Sequence, residues 1–147
     1  ILRIIRELIE FKPEHRETNI AEALRYLING VKKRSIAFVI SDFMDEGFEK
    51  ALKIANRKHD LVALRIHDPR EHEMPNMGLV PFRDAETSEL RWVNTGSKKV
   101  RTEFKARALE NEAQLKDLFR RSGVDHANIA TNESYIQPLM TLFKRRG

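Results

Sequence analysis

At 147 residues, with 41% apolar and 33% charged residues, the chain is about the size of one globular domain and is long enough to bury a core. It has no cysteine, which excludes a disulfide scaffold and thiolate metal sites and favours a reducing, cytoplasmic compartment. No apolar run approaches the roughly 20 residues of a membrane helix, and residues 95–147 carry 11 Lys/Arg and 6 Asp/Glu, which accounts for the whole net charge of +5.

The first predicted element is an amphipathic helix at the start of the chain. Its apolar face is formed by Ile1, Leu2, Ile4, Ile5, Leu8, Ile9 and Phe11. Because the chain starts without methionine, already inside this helix and without a signal peptide, we interpret it as a piece of a longer protein whose upstream strand is left out. A polar linker leads to a second predicted helix over residues 19–31, with Thr18 or Asn19 as its N-cap.

The chain is organised around a predicted strand at residues 35–41. Five consecutive apolar residues, 36–40, end abruptly at Ser41 and Asp42. The run is too short for a helix and does not alternate, so it predicts a strand buried on both faces, as in a parallel sheet covered by helices. Helical patterns flank it, and the carboxyl ends of strands carry the ligand site in such sheets. Asp42 lies at that end.

The rest of the chain alternates strands and helices. Apolar strands are predicted at residues 61–66 and 125–131, and the second follows a long helix over residues 97–121. A β-hairpin over residues 79–94 is inserted after the first of these strands, and a final helix follows Ser134. The pattern predicts a single α/β domain, with a parallel sheet flanked by helices and right-handed crossovers.

Polar groups follow three predicted strands and should meet at one edge of the sheet. They are Ser41, Asp42 and Asp45, then Asp68 and Glu71, then Thr131 and Glu133. Oxygen ligands without cysteine suit a hard divalent ion such as Mg²⁺ or Mn²⁺. Alternatively, Asp and Ser cap helices and turns. Capping is the favoured interpretation for Asp45, Asp68 and Thr131, whereas the sharp end of the strand pattern favours a functional role for Asp42.

An ordered series of short motifs along the chain resembles one known family. The motifs are Thr-Asn-Ile-Ala-Glu-Ala-Leu at 18–24, Ile-Ser-Asp-Phe-Met-Asp at 40–45, Arg-Lys-His-Asp at 57–60, His-Asp-Pro-Arg-Glu at 67–71, Met-Pro at 74–75, Gly-Leu-Val at 78–80, Asp-Ala-Glu-Thr at 84–87, Gly-Val-Asp at 123–125 and Tyr135. The series resembles domain-of-unknown-function family 58, whose members look like von Willebrand factor A domains. The resemblance covers nearly the whole chain and implies the C-terminal half of such a protein.

The resemblance implies a metal-ion-dependent adhesion site built from three loops. Thr18 and Asp42 match its second and third elements as metal ligands, whereas the first element, an Asp-x-Ser-x-Ser motif, has no counterpart in these 147 residues. We therefore expect this chain to bind Mg²⁺ or Mn²⁺ weakly or not at all. The resemblance also implies a non-catalytic adaptor for a MoxR-type AAA+ ATPase. Partner-binding residues at the same edge would be Ser41, Asp45, Asp68 and Glu71.

Two other functions stay open from the residues alone. One is a Mg²⁺-dependent hydrolase that uses Asp42, Asp45, Asp68 and Glu71. The other is a nucleic-acid binder that uses the basic C-terminal third, although aromatic residues are not interleaved with those charges as a single-strand binder requires. A transition-metal site at His67 and His72 is a weaker alternative, because their spacing is not diagnostic outside a helix.

The predicted loss of an upstream strand also has a consequence for assembly. It would leave the strand at residues 35–41 with a bare edge and uncover Ile36, Phe38 and Ile40. Bare apolar edges pair with other chains. We therefore predict a homo-oligomer, most simply a two-fold dimer that joins two sheets edge to edge or buries the first helix of each chain.

Overall fold

The computed structural model describes residues 1–12, 18–83 and 89–147. Five α-helices and five strands lie in these ranges, with a 3-10 turn at Pro69–Glu71 between the second and third strands. The helices are α1 (Leu2–Glu10), α2 (Ile20–Gly30), α3 (Glu49–Lys58), α4 (Lys98–Ser122) and α5 (Ile136–Arg146). The strands are β1 (Ile36–Ser41), β2 (Asp60–His67), β3 (Leu79–Arg83), β4 (Leu90–Asn94) and β5 (Asp125–Ala130).

Strands β1, β2 and β5 form one parallel sheet in the order β1-β2-β5. This confirms the predicted parallel arrangement of the three apolar strands. Strands β3 and β4 form a separate antiparallel pair, so the inserted hairpin is also confirmed, except for its turn at residues 84–88, which lies outside the described residues. Helices α2, α3 and α4 pack on one face of the parallel sheet and α5 packs on the other.

The core follows from the central position of β2. Residues 61–65 are all buried, because β2 has a strand on each side and helices on both faces. On the larger face, Leu61 and Ala63 pack with Leu24, Leu52 and Phe119 of the helices. On the smaller face, the buried cluster is Val62, Leu64, Ala127, Ile129 and Leu142.

The expectation that the strand at residues 35–41 is buried on both faces is wrong. Strand β1 lies at an edge of the sheet, and Ile36, Phe38 and Ile40 are 65%, 48% and 65% exposed. The physical reason is the position of α5, which packs on β2 and β5. Phe143 of α5 meets Phe38 of β1 with ring centroids 6.4 Å apart, and the apolar side chains of β1 stay largely exposed. The apolar side chains of α1 are exposed as well.

The predicted cap of α2 is confirmed. Asn19 Oδ1 accepts a hydrogen bond from the backbone N–H of Glu22 at 2.8 Å, which satisfies one of the free donors at the helix start.

Gly123 ends α4 with a φ of 64°, in the left-handed region that glycine adopts without strain. Within the ranges that the structure describes, no helix combines the length and apolar character needed to cross a membrane.

Candidate strand-end site

The loop after β1 and the start of α2 meet at the carboxyl edge of the sheet. The backbone N–H of Ile20 donates to Asp45 Oδ2 at 2.8 Å, although the two residues are 25 positions apart. This bond brings the segment that contains Thr18 beside the loop that contains Asp42. Thr18 and Ser41 also line one shallow groove between α2 and β1. The structure therefore brings together Thr18, Ser41, Asp42 and Asp45.

Asp42 is held in a tight turn directly after β1. Its Oδ1 accepts hydrogen bonds from the backbone N–H of Met44 at 3.2 Å and from Ser41 Oγ at 3.3 Å. Ser41 Oγ in turn accepts from the N–H of Phe43 at 3.1 Å. Within the described part of the chain, Asp42 Oδ2 has no hydrogen-bond partner, and the residue is exposed. One carboxylate oxygen therefore shapes the loop while the other remains available to a ligand.

Phe43 fixes the direction of this turn. Its φ is 58°, a left-handed conformation that is costly for a residue with a large side chain. Its ring is buried between Phe48 and Phe119, with centroid distances of 5.9 and 5.0 Å. Because core packing holds the ring in place, the backbone keeps a conformation that it would otherwise leave. The neighbouring Asp42 is consequently presented on the surface.

The acids predicted beside Asp42 are engaged in loop structure. Asp45 accepts from Ile20 through Oδ2 and from the N–H of Glu46 through Oδ1 at 2.7 Å. Asp68 Oδ1 accepts from the N–H of Arg70 at 2.8 Å, and Glu71 Oε1 accepts from the N–H of Asp68 at 2.9 Å, forming a capping box. These contacts agree with the capping interpretation of Asp45 and Asp68.

Arg65 is a site residue that the sequence pattern did not suggest. It is only 6% exposed, and its Nη2 donates to Glu71 Oε2 at 3.2 Å. In the sheet register it lies between Ser41 of β1 and Asn128 of β5, and its side chain lines a small cavity against α4. The described residues provide no partner for Nε or Nη1 of Arg65. A charged residue inside an otherwise apolar strand was the available signal.

A second polar cluster links the loop after β2 to α4. His72 Nε2 lies 3.0 Å from Glu112 Oε2, and Asn128 Nδ2 donates to Glu112 Oε1 at 3.1 Å. The rings of His67 and His72 pack edge to face with centroids 5.7 Å apart. Over the described ranges, no three His, Asp or Glu side chains converge in a way that could hold a metal ion. The contacts of His72 therefore account for it as a packed, hydrogen-bonded residue.

Thr131 and Glu133 lie at the far end of the same edge. They follow β5, which is separated from β1 by β2. The ends of β1 and β5 are therefore two inter-strand spacings apart, each of about 4.8 Å. Both residues are exposed. The predicted site residues thus divide into a group at β1, a bonded pair at the end of β2 and a separate exposed pair at β5.

Several cations of the basic C-terminal third are paired within the chain. Arg121 lies 2.7 Å from Asp117, and Arg120 contacts the same carboxylate at 2.5 Å. These arginines hold the pKa of Asp117 below its usual value, with the hydrogen bond from Arg120 as the largest cause. Arg146 contacts Asp60 and also lies 3.6 Å from Asp125. These pairs occupy part of the charge that a nucleic-acid surface would use.

The chain has recognisable relatives. The sequence profile of a family described as "Protein of unknown function DUF58" matches residues 1–114. The uncharacterized protein MAV169 of Mycobacterium avium is 27% identical over 129 residues, covering 87% of this chain and 76% of that protein. The uncharacterized proteins Mb1516 of Mycobacterium bovis and Rv1480 of Mycobacterium tuberculosis are each 25% identical over 132 residues, covering 88% of this chain, and the chain spans only 41% of their length.

One solved structure aligns with nearly the whole chain. It is the conserved hypothetical protein BatB from Bacteroides thetaiotaomicron, which covers 98% of this chain and 68% of its own, with a TM-score of 0.47 and 13% sequence identity.

Proposed function

We infer that this chain, which belongs to the DUF58 family of proteins of unknown function, is a non-catalytic protein-interaction module of the von Willebrand factor A type. Its partner would bind at the carboxyl edge of the parallel sheet, at the end of β1. The partner class that the sequence resemblance suggests is a MoxR-type AAA+ ATPase, for which the chain would serve as an adaptor.

The hydrogen bond from Ile20 to Asp45 is the observation that carries this proposal. It ties together the two loops that bear Thr18 and Asp42, which are the residues that match two elements of a metal-ion-dependent adhesion site. The outward Oδ2 of Asp42 supports the same function, because an exposed carboxylate oxygen held by a stiff turn is suited to contact a ligand. The parallel order of the strands is compatible with a site at this edge.

The residues present do not complete the metal site that the resemblance implies. Thr18 and Asp42 offer two oxygen ligands, whereas Mg²⁺ takes about six and usually keeps several waters among them. The neighbouring carboxylate of Asp45 has both oxygens in hydrogen bonds. We therefore propose weak or no binding of Mg²⁺ or Mn²⁺ by this chain, and a metal-dependent site only where an Asp-x-Ser-x-Ser strand accompanies it.

Most acids near the strand-end site are held in hydrogen bonds or ion pairs within the chain. This favours a role in partner binding over metal-dependent hydrolysis. A metal-dependent hydrolase needs several carboxylates that converge on one or two ions. Here Asp68 and Glu71 form a capping box, and Glu71 also pairs with Arg65. Asp42 is left as the exposed carboxylate at the end of β1, which suits a contact residue better than a two-metal centre.

Binding of the natural full-length protein to its MoxR-type ATPase tests the proposal. Asp42→Ala should weaken binding about tenfold or more, which is the loss expected for a central contact. Glu133→Ala is the matched control, because Glu133 is an exposed acid at the far end of the same edge. Equal losses in both variants would contradict the proposal, and turnover of a phosphoester that disappears in Asp42→Ala would favour the hydrolase.

A further inference from the structure

An open apolar cleft lies between the loop after β2, the β3–β4 hairpin and the first half of α4. Its volume is about 710 Å³. Its apolar walls are formed by Pro69, Met74, Pro75, Met77, Phe82 and Phe104. Met77 and Phe82 are 60% and 40% exposed. None of the residues proposed for the strand-end site lines this cleft. Pro69, which does line it, lies two residues after His67, the last residue of β2.

The walls of the cleft are held in place by Thr95. This residue is completely buried, and its hydroxyl donates to the carbonyl of Gly78 at 2.8 Å while accepting from the N–H of Met77 at 2.9 Å. Its own N–H donates to the same Gly78 carbonyl at 2.7 Å. Arg101 of α4 donates to the carbonyl of Thr95. The hairpin, the loop and α4 are therefore joined by hydrogen bonds, and the cleft exists before any ligand binds.

The chemistry of the walls suits apolar side chains of a polypeptide. Methionine and aromatic residues are enriched at protein interfaces, and methionine adapts its shape to different partners. Pockets for small molecules also have mostly apolar walls, but they carry a few precisely placed polar groups that orient the ligand. The charged residues that line this cleft are Arg70 and Glu73, and Glu73 is already paired with Lys105 at 3.2 Å. A segment that inserts one or two apolar side chains is the better match.

The charge around the cleft favours binding of an acidic peptide segment. Across the part of the chain that the structure describes, the Arg70 side chain makes no hydrogen bond or ion pair. Arg107 lies one helical turn after Phe104 on α4, whereas Arg101, one turn before it, donates to the carbonyl of Thr95. The cation that lines the cleft is therefore Arg70, and the lining acid Glu73 is paired with Lys105. Such an arrangement attracts Asp and Glu and repels a basic segment.

We propose that this cleft is a second docking surface, which binds an acidic peptide segment of a partner protein through apolar side chains that contact Met77 and Phe82. The proposal does not use Thr18, Asp42 or a metal ion, so it stands or falls independently of the strand-end site.

A selection from a phage-displayed library of random short peptides tests the chemistry of the occupant. Selected peptides should combine Asp or Glu with Leu, Ile, Met or Phe. Phe82→Asp should weaken their binding about tenfold or more. Trp92→Asp is the matched control, because Trp92 is an exposed aromatic residue of the same hairpin. Trp92 lies opposite Pro81 in the strand register, so its side chain is on the hairpin face away from Phe82. Failure to select acidic peptides, or equal losses in the two variants, would overturn the proposal.

Methyl NMR of the methionines locates the bound peptide. The chain has four methionines, of which Met74 and Met77 line the cleft while Met44 and Met140 lie elsewhere. A selected peptide should shift the Met74 and Met77 methyl signals and leave those of Met44 and Met140 unchanged. Shifts confined to Met44 or Met140 would overturn the proposal. Cleft signals that move with protein concentration alone would also overturn it, since a second copy of the chain would then fill the cleft.

Discussion

Asp45 Oδ2 accepts a hydrogen bond from the N–H of Ile20, the first residue of α2, at 2.8 Å. This bond joins the loop after β1 to the start of the preceding helix. The carboxylate meets two needs at once. It satisfies a helix donor that has no partner within the helix, and its negative charge lies at the positive end of the helix dipole. The geometry of the strand-end site therefore depends on a residue whose main role is structural.

Asp45→Ala should destabilise the chain by about 1 kcal/mol, because it removes a capping interaction at the start of α2. Urea unfolding followed by circular dichroism measures this loss. Glu46→Ala is the control, since Glu46 is exposed and its side chain has no hydrogen bond to any described residue. An Asp45→Ala variant as stable as the Glu46→Ala variant would show that the bond to Ile20 does not hold the loop.

Glu71→Ala should destabilise the chain by about 3 kcal/mol, because it leaves the buried Arg65 guanidinium without its carboxylate partner. Arg65→Met should cost less, since methionine fills similar space and removes the buried charge. The double variant should be less stable than Arg65→Met alone by only about 1 kcal/mol, because Glu71 also accepts the N–H of Asp68 in the capping box. Unfolding free energies of the three variants test this order, and a Glu71→Ala variant more stable than Arg65→Met would contradict it.

The stability of the chain should fall as the pH drops below 6.5. Burial lowers the pKa of His126 below its usual value of 6.5, and the nearby charges of Arg145 and Lys116 lower it further. Between that lowered pKa and 6.5 the unfolded chain binds more protons than the folded chain, so acid favours unfolding in this range. Urea unfolding above and below pH 6.5 measures the effect. His126→Phe should reduce the dependence of the unfolding free energy on pH. An unchanged dependence in that variant would show that other groups cause it.

The homo-oligomer stays a prediction, and its expected contact surface is the apolar face of Ile36, Phe38 and Ile40 on β1, which continues onto Met140 and Phe143 of α5. Light scattering should give a mass above the 17.2 kDa of one chain. Phe38→Asp should shift the mass toward one chain, whereas Tyr26→Asp, at an exposed aromatic residue of α2, should not. A monodisperse monomer of the unaltered chain would refute this prediction.

The elements of the fold could be predicted because their patterns are local. The apolar run at residues 36–40 and its abrupt end identified β1 and its carboxyl terminus correctly. The burial of β1 could not be predicted, because it depends on which elements lie beside the strand in space. The same limit applies to the strand-end site. The pattern placed Asp42 at the edge, but the pairing of Arg65 with Glu71 and the contact of Glu112 with His72 are tertiary features.

Hydrogen–deuterium exchange of the full-length protein, alone and bound to the proposed partner, a MoxR-type ATPase, tests the central claim most directly. If the partner binds at the end of β1, amides of residues 18–20 and 41–46 should become protected on binding, and those of residues 131–134 at the end of β5 should not. Protection confined to regions away from residues 18–20 and 41–46 would contradict the assignment of this edge as the partner site.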